Sequence, residues 1–132
     1  MRVLILEDDP FIGLDLMAIV EGEGHQVVRL CGSVEEARGA LAAGPDFALL
    51  DVEVTDGTSY ELATLLAARR IPFAFVSGSK RNDLPAHLRA VPFIAKPFME
   101  ATIRAALRTE APARSGVAAL CALFGDESVS LA

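Results

Sequence analysis

The chain has 132 residues, 52% of them hydrophobic, with a mean hydropathy of +0.40 and a net charge of −6. That length suits one domain with a proper buried core, the apolar content excludes a disordered chain, and the acidity argues against sequence-independent binding to DNA or RNA. No apolar run reaches the ~18 residues of a membrane span, and the start "MRVLILEDD" turns acidic too soon for a signal peptide, so a cytoplasmic location without a membrane anchor is expected.

"RVLILE" (2–7) is a near-continuous apolar run, the pattern of a strand covered on both faces. Asp9 and Pro10 then suit a helix cap and a first helical position, and residues 10–22 carry Phe11, Leu14, Met17, Ala18 and Glu21 at helical spacing before Gly22 and Gly24 end the helix. "QVVRL" (26–30) is the second strand. Ser33 with Glu36 forms a capping box that opens a helix ending at Gly44. "DFALL" (46–50) is the third strand, and residues 58–70 form a helix with Leu62, Leu65 and Leu66 facing inward. "PFAFVS" (72–77) is the fourth strand. A loop and a short helix from Asp83 to about Ala90 lead to the fifth, "VPFIA" (91–95). Pro97 opens a last helix through about Arg108, with Ile103, Ala106 and Leu107 inward.

Five apolar strands alternating with helices imply an α/β fold, a parallel sheet covered by helices on both faces. Five strands fit the flavodoxin-like doubly wound order 2-1-3-4-5 rather than the Rossmann order. The domain spans 1–110. "TEAPARSG" (109–116) reads as a linker, and the tail 111–132 carries one more apolar helical stretch at 117–125. Packing of that stretch on its own domain and use as a homodimer or partner contact both stay open. Cys31 and Cys121 lack paired-ligand spacing and read as reduced core residues.

Ligands of open parallel sheets bind at the carboxyl ends of the strands, near the point where strand order reverses. The first strand ends in Glu7-Asp8, the third in Asp51, the fourth in Ser77-Gly78 and the fifth in Lys96-Pro97, whereas the edge strand ends in the unremarkable "RLCGS". Crowded carboxylates repel one another. A hard divalent cation with oxygen ligands removes that cost, and Mg²⁺ uses one or two carboxylates together with substrate phosphate. Lys96 supplies a mobile point charge for phosphate, Ser77 a hydroxyl donor, and a carboxylate serves as nucleophile in forming an aspartyl phosphate. The set suggests phosphoryl transfer to one Asp.

Over residues 1 to about 110, Glu7-Asp8, Asp51, Ser77 and Lys96-Pro97-Phe98 stand in the order found in response regulator receiver domains, and the chain resembles that family. The resemblance implies Asp51 as phosphoacceptor, Asp8 as the principal acidic metal ligand, Glu7 acting through water, and the main-chain carbonyl of Glu53 as a further ligand. It implies Ser77 as the switch hydroxyl, Lys96 as the phosphoryl contact with a cis bond to Pro97, and Phe93 as the switch aromatic, without the hydroxyl of the commoner Tyr. The loop departs from the usual pattern: no Met-Pro follows Asp51, and Gly57 comes after six residues instead of eight. "DVEVTDGTSYELA", "IPFAFVSG" and "VPFIAKPF" are similar to the FAT GUY subclass of receivers. The function so implied is that of a single-domain response regulator. A histidine kinase or phosphotransfer protein donates to Asp51 with Mg²⁺, and a changed conformation is read by a downstream protein. The role is signalling, and the only catalysis is the domain's own phosphorylation and dephosphorylation.

Three other readings compete with this one. Loop acids are often merely solvated, but four strand tips with matched chemistry go beyond that. "DVEVT" echoes the nucleophile loop of haloacid-dehalogenase-like phosphatases, which place the nucleophile on the first strand of a longer chain. A degenerate receiver that only binds partners would not need Asp8, Asp51, Ser77 and Lys96 together. His25 reads as a turn residue, His87 as part of a short surface helix, Tyr60 as a packing residue, and Asp56 as turn chemistry ahead of Gly57. Glu53 and Ser79 stand where the family tunes dephosphorylation.

Overall fold

The computed structural model describes residues 1–114. Its main sheet comprises β1 (Arg2–Leu6), β2 (Gln26–Cys31), β3 (Phe47–Leu50), β6 (Phe73–Ser77) and β7 (Phe93–Ala95), with β4 (Glu53–Val54) and β5 (Gly57–Thr58) forming a separate two-stranded ribbon. The five strands are all parallel and lie in the order β2-β1-β3-β6-β7, which is 2-1-3-4-5 when the ribbon is left out. The helices are α1 (Pro10–Gly22), α2 (Val34–Ala40), α3 (Tyr60–Ala68) and α4 (Glu100–Arg114).

Side chains alternate across the strands, so each strand feeds two cores. Leu4, Leu6, Ala48, Leu50, Phe73 and Phe75 pack under α2 and α3 with Ala37, Leu62 and Leu66. Val3, Ile5, Phe47, Leu49, Ala74 and Val76 pack under α1 and α4 with Leu16, Ile19, Val20, Ile103 and Leu107. Burial on both faces is why these strands read as unbroken apolar runs.

Three local differences from the sequence reading have physical causes. The buried stripe of α1 is Leu16, Ile19 and Val20, while Phe11 and Leu14 are exposed. Two apolar stripes share that helix, and only the sheet decides which one turns inward. The helix expected from Asp83 to Ala90 is instead two single 3₁₀ turns, Arg81–Asp83 and Ala86–Leu88. Pro85 lies between them and holds Leu84 extended at ψ 152°. Side chains satisfy this segment's carbonyls: Arg81 Nη1 donates to Arg89 O at 2.6 Å and Val91 O at 2.7 Å, and Arg89 Nε donates to Leu84 O at 2.8 Å. The last helix runs to Arg114, past the expected end near Arg108 and across most of the expected linker. The apolar stretch expected at 117–125 lies outside the described residues.

Candidate functional site

Parallel strands deliver their carboxyl ends to one edge of the sheet. Asp51 follows β3 directly, Glu7 and Asp8 follow β1, Ser77 ends β6 and Lys96 follows β7. Because β1, β3, β6 and β7 are consecutive neighbours, the fold alone gathers these residues. Carboxylate oxygens of Glu7, Asp8 and Asp51 lie within 4.8 Å of one another. A cleft of about 360 Å³ opens beside them, lined by Asp51, Glu53, Ser77, Gly78, Ser79 and Lys96.

Each group is held in place. Asp51 Oδ1 accepts from the Val52 N–H at 2.8 Å, and Oδ2 accepts from Lys96 Nζ at 2.9 Å. Lys96 Nζ also lies 2.6 Å from Glu7 Oε1. That second contact is a close ion pair, and among the described residues the buried Oε1 has no other donor. Glu7 Oε2 accepts from the Asp9 N–H at 3.1 Å, which fixes the carboxylate against the start of α1. Ser77 is buried, and its Oγ accepts from the Ser79 N–H at 3.1 Å. The Lys96–Pro97 peptide is cis, as the resemblance implied.

Electrostatics set the character of the site. Burial pushes the Glu7 carboxyl above the usual carboxylate range, against the pull of Lys96. Burial also draws Lys96 down, but hydrogen bonds and charge from Glu7 and Asp51 outweigh it and hold the ammonium above its ordinary value. Three carboxylates and one ammonium meet here, so among the described residues of the cluster the acids outnumber the base. An all-oxygen donor set in which acids outnumber the one ammonium fits a hard divalent cation such as Mg²⁺. Asp8 is the exposed member of the cluster and Glu7 the deeply buried one.

Phe93 is not in the cleft. As the first residue of β7, it pairs with Phe75, with ring centroids 6.4 Å apart, and the Arg81 guanidinium lies 5.6 Å from its ring centroid. Glu53 begins the ribbon and is exposed on the cleft wall.

Ser59 escaped the sequence reading, and Asp56 has a role beyond the turn read for it. Ser59, fully buried, donates from Oγ to the main-chain oxygen of Asp51 at 2.6 Å and from its N–H to Val52 O at 2.9 Å. Its place before Tyr60-Glu61 looks like an ordinary helix cap, yet the side chain makes no cap bond. Asp56 does more than shape a turn: its two oxygens accept from the Val34 and Glu35 N–H groups at 2.8 and 3.1 Å. Local sequence carries no signal for a cap supplied from 21 and 22 residues away.

No family model matches the chain. It is 34% identical over 111 residues to the phyllosphere-induced regulator PhyR of Methylorubrum extorquens, a match that covers 80% of this chain and 42% of that protein. The chain thus spans about two fifths of that curated relative's length. The solution structure of SdrG from Sphingomonas melonis Fr1 is 33% identical and aligns at a TM-score of 0.72, covering 82% of this chain and 93% of that one. The REC domain of the response regulator PhyR from Erythrobacter litoralis is 27% identical, with a TM-score of 0.71 and 80% and 85% coverage. Fold, strand-tip residues and these likenesses agree: the chain belongs to the receiver domains of response regulators.

Proposed function

We propose that this receiver accepts a phosphoryl group on Asp51 from a phosphohistidine of a histidine kinase or phosphotransfer protein, and that the phosphorylated form signals to a partner protein in the cytoplasm. The observation that carries this reading is the position of Asp51. Its carboxylate lies at the tip of a central strand, 2.9 Å from Lys96 and within 4.8 Å of the Glu7 and Asp8 oxygens, beside an open cleft.

In the step proposed, an Asp51 oxygen forms a bond to phosphorus while the bond from phosphorus to the donor's imidazole nitrogen breaks. The imidazole leaves with a proton taken from solvent. Lys96 offers its charge to the incoming phosphoryl oxygens, as positioned cations do in phosphoryl transfer. The Ser77 hydroxyl, on the cleft wall, donates to one of them. Asp8, Asp51 and the main-chain carbonyl of Glu53 would hold Mg²⁺, with Glu7 reached through water, and the ion would neutralise phosphoryl charge there. Later attack by water returns the carboxylate and inorganic phosphate. The role is that of a switch, since one phosphoryl group is held per chain until water removes it.

The test is incubation with a small phosphoramidate donor and Mg²⁺, followed by intact mass of wild type and Asp51→Asn. One added phosphoryl group on wild type and none on the variant is the expected result. An unlabelled wild type would reject the reading, and equal labelling of both would mean that another side chain is the acceptor.

A further inference from the structure

The loop behind Asp51 is fastened at both ends, and its outer fastening serves a helix that precedes it in sequence. At the inner end, Ser59 holds the carbonyls of Asp51 and Val52. Between the ends runs the β4–β5 ribbon, pairing Glu53 with Thr58 and Val54 with Gly57. At the tip, Thr55 Oγ1 donates to Gly32 O at 2.9 Å, and Asp56 takes the Val34 and Glu35 N–H groups. Gly57 makes the tight return, at φ +129°, where an L side chain would be strained.

A ribbon of two residues per strand does not hold its own shape in water. It keeps one conformation here because both ends are tied. Glu53, its first residue, lines the cleft. The position of Glu53 beside Asp51 is therefore held from both ends, by Ser59 at Val52 and by the bonds at the far tip. Helix α2 has its own cap besides: Ser33 Oγ accepts from the Glu36 N–H at 3.1 Å. Asp56 thus doubles a cap the helix already possesses, and what it adds is the attachment of the ribbon.

We infer that Asp56, aided by Thr55, is a positioning residue for the Asp51 site, clamping the β4–β5 ribbon to α2 so that Glu53 stays in register with the acceptor and the metal-binding acids. The inference rests on Asp51 being the acceptor and on Glu53 contributing to the metal site. The bonds of Asp56 and Thr55 fasten the tip of the acceptor loop to the backbone at the start of α2.

Three variants of the full chain separate positioning from simple helix capping. Asp56→Ala and Thr55→Val cut the tip, whereas Ser33→Ala weakens the same helix without touching the ribbon. Binding of Mg²⁺ alone is measured by calorimetry, loss of phosphoryl from Asp51 by intact mass after donor removal, and folding by thermal midpoint. Asp56→Ala is expected to weaken Mg²⁺ binding about tenfold, the low end for losing an outer support of a metal ligand. It is also expected to change the phosphoryl half-life at least about twofold, with Thr55→Val moving both in the same direction by less. Ser33→Ala should lower the midpoint alone.

If Asp56→Ala merely lowers the midpoint as Ser33→Ala does, Asp56 is only a cap and the inference fails. Should Asp56→Ala not fold, Thr55→Val decides, and an unchanged Mg²⁺ affinity and half-life in it would overturn the inference. A wild type that takes no phosphoryl group rejects Asp51 as acceptor while the Mg²⁺ arm still judges the clamp. A wild type that binds no Mg²⁺ overturns the clamp itself.

Discussion

Lys96 Nζ bridges two carboxylates that belong to different strands, standing 2.9 Å from Asp51 Oδ2 and 2.6 Å from Glu7 Oε1. Three positions meet in that contact: the tips of β1, β3 and β7. The ammonium both relieves repulsion between buried acids and stands beside Asp51, the acceptor proposed above.

Lys96→Ala should therefore separate those two roles. Labelling of Asp51 by a small phosphodonor is expected to slow about a hundredfold, the scale for losing one preorganised charge donor. The variant should also be less stable in chelator than wild type and regain more stability on adding Mg²⁺. Labelling at the wild-type rate would remove Lys96 from the proposed step.

Glu53 stands on the cleft wall with Ser79 and Ser77, beside Asp51. In the hydrolysis proposed above, its carboxylate would accept a hydrogen from the attacking water and orient it. Glu53→Ala should lengthen the phosphoryl half-life by about threefold, a change of under about 1 kcal/mol in barrier. An unchanged decay, followed by intact mass, would show that this side chain plays no part.

Ser59 holds the main-chain carbonyl of Asp51 from a fully buried position, at 2.6 Å. Ser59→Ala deletes the donor and leaves that carbonyl without it. The expected loss is about 1–2 kcal/mol in urea unfolding. A loss near zero would mean that the loop finds another donor by relaxing.

Cys31 ends β2 inside the core, and burial pushes its thiol up to about 11 from 9.0. Two pH units mean about a hundredfold less thiolate near neutrality, before any loss of access. In a Cys121→Ser background, alkylation at pH 8 should be slow in buffer and fast in denaturant. Rapid alkylation of the native protein would contradict the packing of β2.

Hydrogen bonds from the Val34 and Glu35 N–H groups hold the Asp56 carboxyl below its ordinary value. A carboxyl depressed on folding stabilises the native state above its unfolded value, roughly pH 3.9, and that contribution fades as pH falls through the lower native value. Wild type should exceed Asp56→Asn in urea midpoint at pH 6, and the gap should close toward pH 3. A constant gap would show that the charge contributes nothing.

Period, composition and turn residues were enough to set out the alternating strands and helices, the strand order and the five strand-tip residues. Apolar runs doubly buried in a parallel sheet leave a plain mark, and strand ends place polar residues where the topology gathers them. Local sequence did not contain the rest. Phe11 and Leu14 lie exposed because the sheet, not the helix, selects which apolar stripe of α1 is covered. The segment around Pro85 is held by Arg81 and Arg89 bonding to carbonyls up to ten residues along the chain, so it stays compact without a helix. Ser59 and Asp56 reach backbone groups 8 and 21–22 residues distant, the first across the folded loop and the second only once the ribbon lies against α2. The sequence by itself determined which chemistry stands at the sheet's carboxyl edge. The tertiary structure decided how rigidly that chemistry is held, because the holding bonds join parts of the chain that only folding brings together.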